Sequence, residues 1–269
     1  MLKKFFLPLF FALVFAAQGQ TTYKRIVSLA PSLTQSLYFL GAQDLLVGCT
    51  NYCEEAKKDN KPVVATAVKL NIEKLLSVKP DLVLALGLSG AEDLETIRKF
   101  GIKVEEFQSP KSFDEICEQF INLGKMVGKQ ADAEKIVSDS RLKINEIKVG
   151  RTLKPHYRMF FQIGVNPIFS VLPHTFMNDY ITLLNGENIA SRLAHGTVGR
   201  EFVIAGNPDC IFIAAMGVVG DEERKVWLKY RTLSASEKKQ VFIVDAKMAC
   251  QPTPITFVQT IEFLDQQLK

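Results

Sequence analysis

The chain has 269 residues, 47% of them hydrophobic, and carries 33 basic against 29 acidic side chains for a formal charge of +4. That length exceeds a comfortable single core and predicts two lobes. So small a charge, with its lysines scattered along the chain, excludes an electrostatic nucleic-acid footprint.

The amino terminus places Lys3 and Lys4 before an apolar run from Phe5 to Ala17 and the small residues of Ala17-Gln18-Gly19. This is the layout of a secretory leader over residues 1–19, too short to span a bilayer. Its removal leaves a soluble chain of charge +2 with no cysteine at the new terminus. Five cysteines remain, Cys49, Cys53, Cys117, Cys210 and Cys250. The odd number leaves at least one thiol unpaired in a monomer, and Cys210, inside an apolar run, is expected to be a buried thiol.

From residue 20 to 129 apolar runs alternate with helical patterns. RIVSLA (Arg25–Ala30) reads as a strand, and Ser32 and Gln35 stand at capping-box spacing for a helix that stops at Gly41. Further strands are expected at Leu45–Val47, Leu82–Leu86 and Val104–Phe107, with a helix over Ala91–Phe100. This alternation predicts a parallel sheet with helices on both faces. Gly87–Gly90 reads as a tight turn or as an anion cradle. Ser112–Val149 is helical, broken near Gly124–Gly128; its second part, within the segment 130–152, carries Ile136, Val137, Ser140, Ile144 and Ile147 on one stripe and is long enough to bridge two lobes. From 153 to 269 the alternation resumes, with strands at Met159–Ile163, Ile211–Ala214 and Val241–Val244, and helices at Thr175–Leu184 and Ile255–Leu268. The fold class expected is therefore α/β, with two Rossmann-like lobes of parallel sheet bridged by one long helix.

Two stretches match each other. EKLLSVKPDLVLA (Glu73–Ala85) and EFVIAGNPDCIFIA (Glu201–Ala214) align their Glu, Pro and Asp at a constant offset of 128 residues. Each runs from a carboxylate through a short apolar helix into Pro-Asp and a buried strand, so the lobes read as related copies in which Glu73 and Glu201 are equivalent. Enzymatic signatures fit poorly. There is no Gly-x-Gly-x-x-Gly, Walker, Gly-x-Ser-x-Gly or His-Glu-x-x-His sequence, and His156, His174 and His195 lack partners at metal-ligand spacing. An exported two-lobed chain of this kind reads as a binder with its ligand between the lobes.

IVSLAPSLT (Ile26–Thr34), Leu40-Gly41, Val47-Gly48, LNIE (Leu70–Glu73) and KPDLV (Lys79–Val83) resemble the first lobe of the helical-backbone metal receptor superfamily, the class III solute-binding proteins of ABC importers for cobalamin, haem and ferric siderophores. FQIGVNP (Phe161–Pro167), NGEN (Asn185–Asn188) and VGRE (Val198–Glu201) resemble its cobalamin-binding branch. The resemblance covers nearly all of Tyr23–Lys269. It implies a periplasmic, non-enzymatic, monomeric protein that holds a cobalamin-like corrinoid in its cleft, carries no covalent cofactor or metal, and docks Glu73 and Glu201 onto a dimeric permease served by an ATPase. It places Pro31, Ser32, Tyr52 and Ala67 on the first wall of the pocket, with Ile163, His195 and the loop Lys247, Met248, Cys250 and Gln251 on the second.

Departures from the branch are visible. Ala67 replaces a large aromatic, and Lys247 and Gln251 stand where Asp and Arg contacts are expected. His195 reads either as a stacking or metal-facing group or as a loop histidine in solvent, and Tyr52 either as a wall of the pocket or as half-buried core. Thr66-Ala67-Val68 lacks the tyrosine of haem binders, although His195, His174 or Tyr52 offers a substitute, and Lys247 or Arg200 offers a cation for a ferric siderophore. Cys53 and Cys250 are placed by the same resemblance in cleft loops, with a disulfide or thiolate ligation open to them. Haem or siderophore binding is thus the alternative ligand reading, and a chelatase-like enzyme on the same scaffold the alternative of another class.

Overall fold

A computed structural model describes residues 23–66, 69–87, 90–215 and 218–268. The leader, Ala67 and the middle of the Gly87–Gly90 turn lie outside the described residues. The first half contains β1 (Ile26–Ser28), α1 (Pro31–Phe39), a 3-10 turn (Gln43–Leu45), β2 (Leu46–Thr50), α2 (Glu54–Lys58), β3 (Val63–Ala65), α3 (Ile72–Ser77), β4 (Leu82–Leu86), α4 (Ala91–Lys99) and β5 (Lys103–Phe107). Two helices follow, α5 (Phe113–Met126) and α6 (Gln130–Arg151). The second half contains β6 (Tyr157–Ile163), β7 (Ile168–Ser170), α7 (Phe176–Leu183), β8 (Gly186–Asn188), β9 (Thr197–Val198), α8 (Arg200–Gly206), β10 (Cys210–Ala215), α9 (Val218–Leu228), α10 (Ser234–Glu237), β11 (Val241–Asp245), α11 (Ala246–Ala249) and α12 (Pro254–Gln267).

The first sheet is wholly parallel in the order β3-β2-β1-β4-β5. In the second, β10, β11 and β8 form the parallel part around β6, while β7 and β9 add an antiparallel hairpin beyond it. β6 has seven residues and so holds two short neighbours along one edge: β8 pairs Tyr157–Met159, and β7 pairs Gln162 and Ile163. The hairpin strands are too short to leave a periodic signal in the sequence.

The matching stretches occupy equivalent places. Each supplies a short helix, α3 or α8, whose second residue is the glutamate, and each feeds the strand paired with the first strand of its sheet, β4 beside β1 or β10 beside β6. The residue before proline is left-handed in both, Lys79 at φ 45° and Asn207 at φ 41°. The aspartate then repeats one pair of bonds. Asp81 N–H donates to the Arg25 carbonyl at 2.9 Å and its carboxylate accepts from Arg25 N–H at 3.0 Å; Asp209 does the same with Arg158 at 2.7 and 3.0 Å.

The expected capping box at Ser32 does not form. Pro31 occupies the first turn, where its missing N–H costs nothing, so α1 starts one residue before Ser32, with Ala30 as an N-cap that offers no side-chain bond. Gln35 Oε1 is consequently buried without a partner. Gly41 ends the helix as expected, at φ 63°. Real side-chain caps occur elsewhere, from Asn71 on α3, Ser112 on α5 and Thr253 on α12.

α6, 22 residues and about 33 Å long, packs against α5, α7 and α12, which also touch one another. Val137, Ser140 and Ile144 of the expected stripe are buried, and Ile136 and Ile147 pack against the same core. The halves also meet directly. Phe113 of α5 stacks on Phe257 of α12 at 4.6 Å, Phe257 on Tyr180 of α7 at 4.5 Å, and Tyr180 on Phe161 of β6 at 6.0 Å, so one apolar cluster runs from the first sheet into the second. Among the described residues no helix is long and apolar enough to cross a membrane.

At the far end of α6 the Arg151 side chain is wholly buried. It pairs with Asp265 and donates to the carbonyls of Asp265 and Leu268 at 2.6 and 2.8 Å, placing a cation on the unsatisfied end of α12. Arg151→Leu leaves those carbonyls without their donor and the Asp265 carboxylate with only the Lys154 ammonium at 3.7 Å. It should cost about 3 kcal/mol, the lower end of what breaking a buried pair costs, read as a lower denaturation midpoint at constant slope.

All five cysteines are free thiols, and Cys49, Cys53, Cys117 and Cys210 have no exposed surface. Cys53 is held by the hydroxyls of Thr34 and Thr50 at 3.1 and 3.3 Å and does not pair with Cys250. Burial pushes the partly exposed Cys250 thiol up to about 11. A chromogenic disulfide reagent should therefore titrate one thiol in the native protein, at a rate that climbs as pH rises toward 11 because thiolate is the attacking form, and five after unfolding. Rapid reaction of a second native thiol would contradict this burial.

Candidate ligand-binding cleft

In the first sheet, chain connections leave β1 and β4 in opposite directions, and the crevice beyond the carboxyl ends of such strands is where open α/β sheets bind ligands. A cavity of about 340 Å³ lies there. Ala30 and Pro31 enter it after β1, Thr50 and Tyr52 after β2, and Leu86 at the end of β4. Lys69, Asp93 and Leu94 complete the rim. Apolar walls surround a few polar groups, the composition expected of a small-molecule site. Tyr52 is 48% exposed, which makes it wall and not core. The Lys69 ammonium and Asp93 carboxylate are both exposed and neither pairs with another described residue, so the rim carries one charge of each sign.

The second sheet presents the carboxyl ends of β6, β10 and β11. Lys247, just past β11, reaches Glu54 at the start of α2, Nζ to Oε2 3.3 Å. This contact joins the two lobes across the cleft mouth, and the Lys247 ammonium, followed by Lys57, holds the Glu54 carboxyl below its ordinary range. Asp245 fixes the approach by capping α11 through the Lys247 N–H at 2.8 Å.

The residues anticipated from the sequence distribute unevenly. Pro31 and Tyr52 share the cavity, and Lys247 touches its neighbourhood through Glu54. Ser32 is buried in a small crevice of about 20 Å³ at the seam with Thr253 and Pro254, beside the cavity and outside it. Ile163, Met248 and Cys250 are half-buried against the main core. Gln251 stands at the start of α12, its carbonyl accepting from Thr256. His195 is an exposed turn residue before β9, and neither it, His156 nor His174 lines the cavity. Glu73 and Glu201 are both exposed. Lys69, Asp93 and Glu54 escaped sequence reasoning; the acidic first turn of α4 was visible, but its approach to the strand ends was not.

A buried polar network lies behind the second wall. Arg200 donates to both oxygens of Glu223, at 2.9 and 2.7 Å, with Glu223 only 2% exposed. Gln162 Nε2 donates to Glu223 at 2.8 Å and to the Gly164 carbonyl at 2.9 Å, and Trp227 Nε1 donates to Gln162 at 2.8 Å. The guanidinium also lies 4.7 Å from the Trp227 ring centroid. Arg200 is therefore committed within the lobe and is not a free cation for a ligand, and Lys247 is committed to Glu54. Among the described residues no group of three or more His, Cys, Asp or Glu side chains converges as a metal site.

Residues 26–248 match the model of a family described as periplasmic binding protein. The chain is 27% identical over 237 residues to a vitamin B12-binding protein of Vibrio cholerae serotype O1, covering 87% of this chain and 85% of the relative. It is 29% identical over 211 residues to a vitamin B12-binding protein of Yersinia pestis, covering 76% and 74%. The crystal structure of the periplasmic vitamin B12 binding protein BtuF of Vibrio cholerae superposes with a TM-score of 0.77 at 26% identity, over 91% of this chain and 96% of that one. A periplasmic haem binding protein from Pseudomonas aeruginosa shares the fold, with a TM-score of 0.81 at 20% identity over 91% and 92%. With two α/β lobes meeting at the carboxyl ends of their parallel strands, and a family match that spans both, this chain belongs to the periplasmic binding protein family.

Proposed function

We propose that this protein captures a cobalamin-like corrinoid in the periplasm, as a monomer freed of its leader, and delivers it to a dimeric ABC permease powered by an attached ATPase. The observation that carries the reading is the cavity at the strand ends, with half-exposed Tyr52 on its wall and a rim of balanced charge. A macrocycle edged with neutral carboxamides finds an ammonium donor in Lys69 and a carboxylate acceptor in Asp93. Haem, with two carboxylates, gains from Lys69 and is repelled by Asp93. The cavity is one wall of the cleft and holds one side of such a ligand, and the Ile163–Gly164 and Lys247–Met248 segments supply the other. The relatives named for vitamin B12 binding support the same choice. Capture and delivery require no chemistry of the protein itself, and a binding role accords with its membership of the periplasmic binding protein family.

Docking rests on Glu73 and Glu201, exposed second residues of equivalent helices in the two lobes. Two related carboxylates suit a partner with two equivalent basic sites. Exposed ion pairs contribute little affinity, about 0 to 1 kcal/mol each, so their work is orientation and encounter.

Calorimetric titration with cyanocobalamin, haem and a ferric hydroxamate separates the ligand readings: retention of cyanocobalamin is expected, and a haem Soret shift without cyanocobalamin retention reverses the assignment. Asp93→Asn should raise haem affinity about two- to fivefold, the range of one exposed charge, with cyanocobalamin binding unchanged. Reversing both glutamates to lysine should cut cyanocobalamin uptake by roughly tenfold or more, since like charges set face to face are costly, while capture in solution stays intact. Normal uptake by that variant would remove the docking roles.

A further inference from the structure

The two glutamates sit on helices of the same plan that are secured differently. In α3 the residue before the helix is Asn71, whose Oδ1 accepts from Lys74 N–H at 2.9 Å and so fixes the turn bearing Glu73. The equivalent residue before α8 is Gly199, which has no side chain and provides no cap. What holds this turn is the next residue. Arg200 stands where the first lobe has Ile72; Ile72 packs against that lobe's core by apolar contact, whereas Arg200 is tied by its guanidinium to Glu223 and lies over Trp227.

We propose that Arg200 and Glu223 form a clamp that positions Glu201 for the membrane partner, replacing in the second lobe the cap that Asn71 gives Glu73 in the first. The inference rests on the docking reading of Glu201. A bidentate guanidinium–carboxylate pair fixes direction as well as distance, and here the acceptor is itself immobilised: Glu223 is buried and also receives Gln162, whose carbonyl is bonded by Trp227. A helix start without a cap otherwise frays.

The test is a double-mutant cycle on the full mature protein, reading affinity for the cell's corrinoid permease complex in nanodiscs beside affinity for cyanocobalamin in solution. Arg200→Lys keeps the charge but loses the planar fork and the ring contact. It should weaken permease binding five- to tenfold with cyanocobalamin affinity unchanged, and it should add less than twofold in a Glu201→Gln background, because both changes then remove the same interaction. Glu223→Gln breaks the same ion pair from the acceptor's side and should reproduce the five- to tenfold loss, which keeps the inference testable if Arg200→Lys folds poorly. Additive effects of Arg200→Lys and Glu201→Gln, or full permease affinity in both Arg200→Lys and Glu223→Gln, overturn the clamp and leave docking standing. Full permease affinity in Glu201→Gln overturns docking and the clamp together.

Discussion

Two carboxylates, Asp81 and Asp209, hold the plan of each lobe. Each follows a left-handed residue and a proline at the end of a short helix, and each bonds the backbone at the edge of the lobe's first strand through both its N–H and its side chain. The helix is thereby aimed before β4 or β10 begins. Because the bond pattern is the same in both halves, the first turns of α3 and α8 are presented alike, and so are their glutamates. The directions of α3 and α8 descend from those two turns, which need no ligand to form.

The cleft depends on a second constraint, the meeting of strand ends. Parallel strands deliver every loop that follows them to one edge, so residues as far apart as Pro31, Tyr52, Leu86 and Asp93 converge without adjacency in sequence. The same rule places Lys247 opposite Glu54. Charges that a sequence reader assigns to a ligand are then consumed by the protein: Lys247 across the cleft, Arg200 within the second lobe. Those left over, Lys69 and Asp93, give the rim its near-neutral character.

Much of the architecture was legible because buried parallel strands are continuous apolar runs bounded by turns. Leu82–Leu86 and the Cys210–Ala215 region announced themselves this way, and the 128-residue repeat exposed the relation between lobes. α6 was legible from its stripe. The hairpin of β7 and β9 was not, since strands of three and two residues carry no period. Ser32 mimicked a cap because Ser-x-x-Gln is a local pattern, while Pro31 beside it settled where the helix begins. The site was half legible: Tyr52 and Pro31 sit at strand ends that the pattern locates, but Glu54, Lys69 and Asp93 owe their roles to neighbours distant in sequence. Arg151 could not be anticipated either, for a basic residue at the end of a charged helix reads as solvated until α12 is laid over it.

The aromatic chain from Phe113 through Phe257 and Tyr180 to Phe161 runs through the seam between the two halves. A molecule assembled from two similar units is ordinarily divisible, each unit carrying its own interior. Here neither can be lifted away without baring rings that the other covers. Two units of one plan thus hold part of their interior in common, and neither half closes its own surface along the seam.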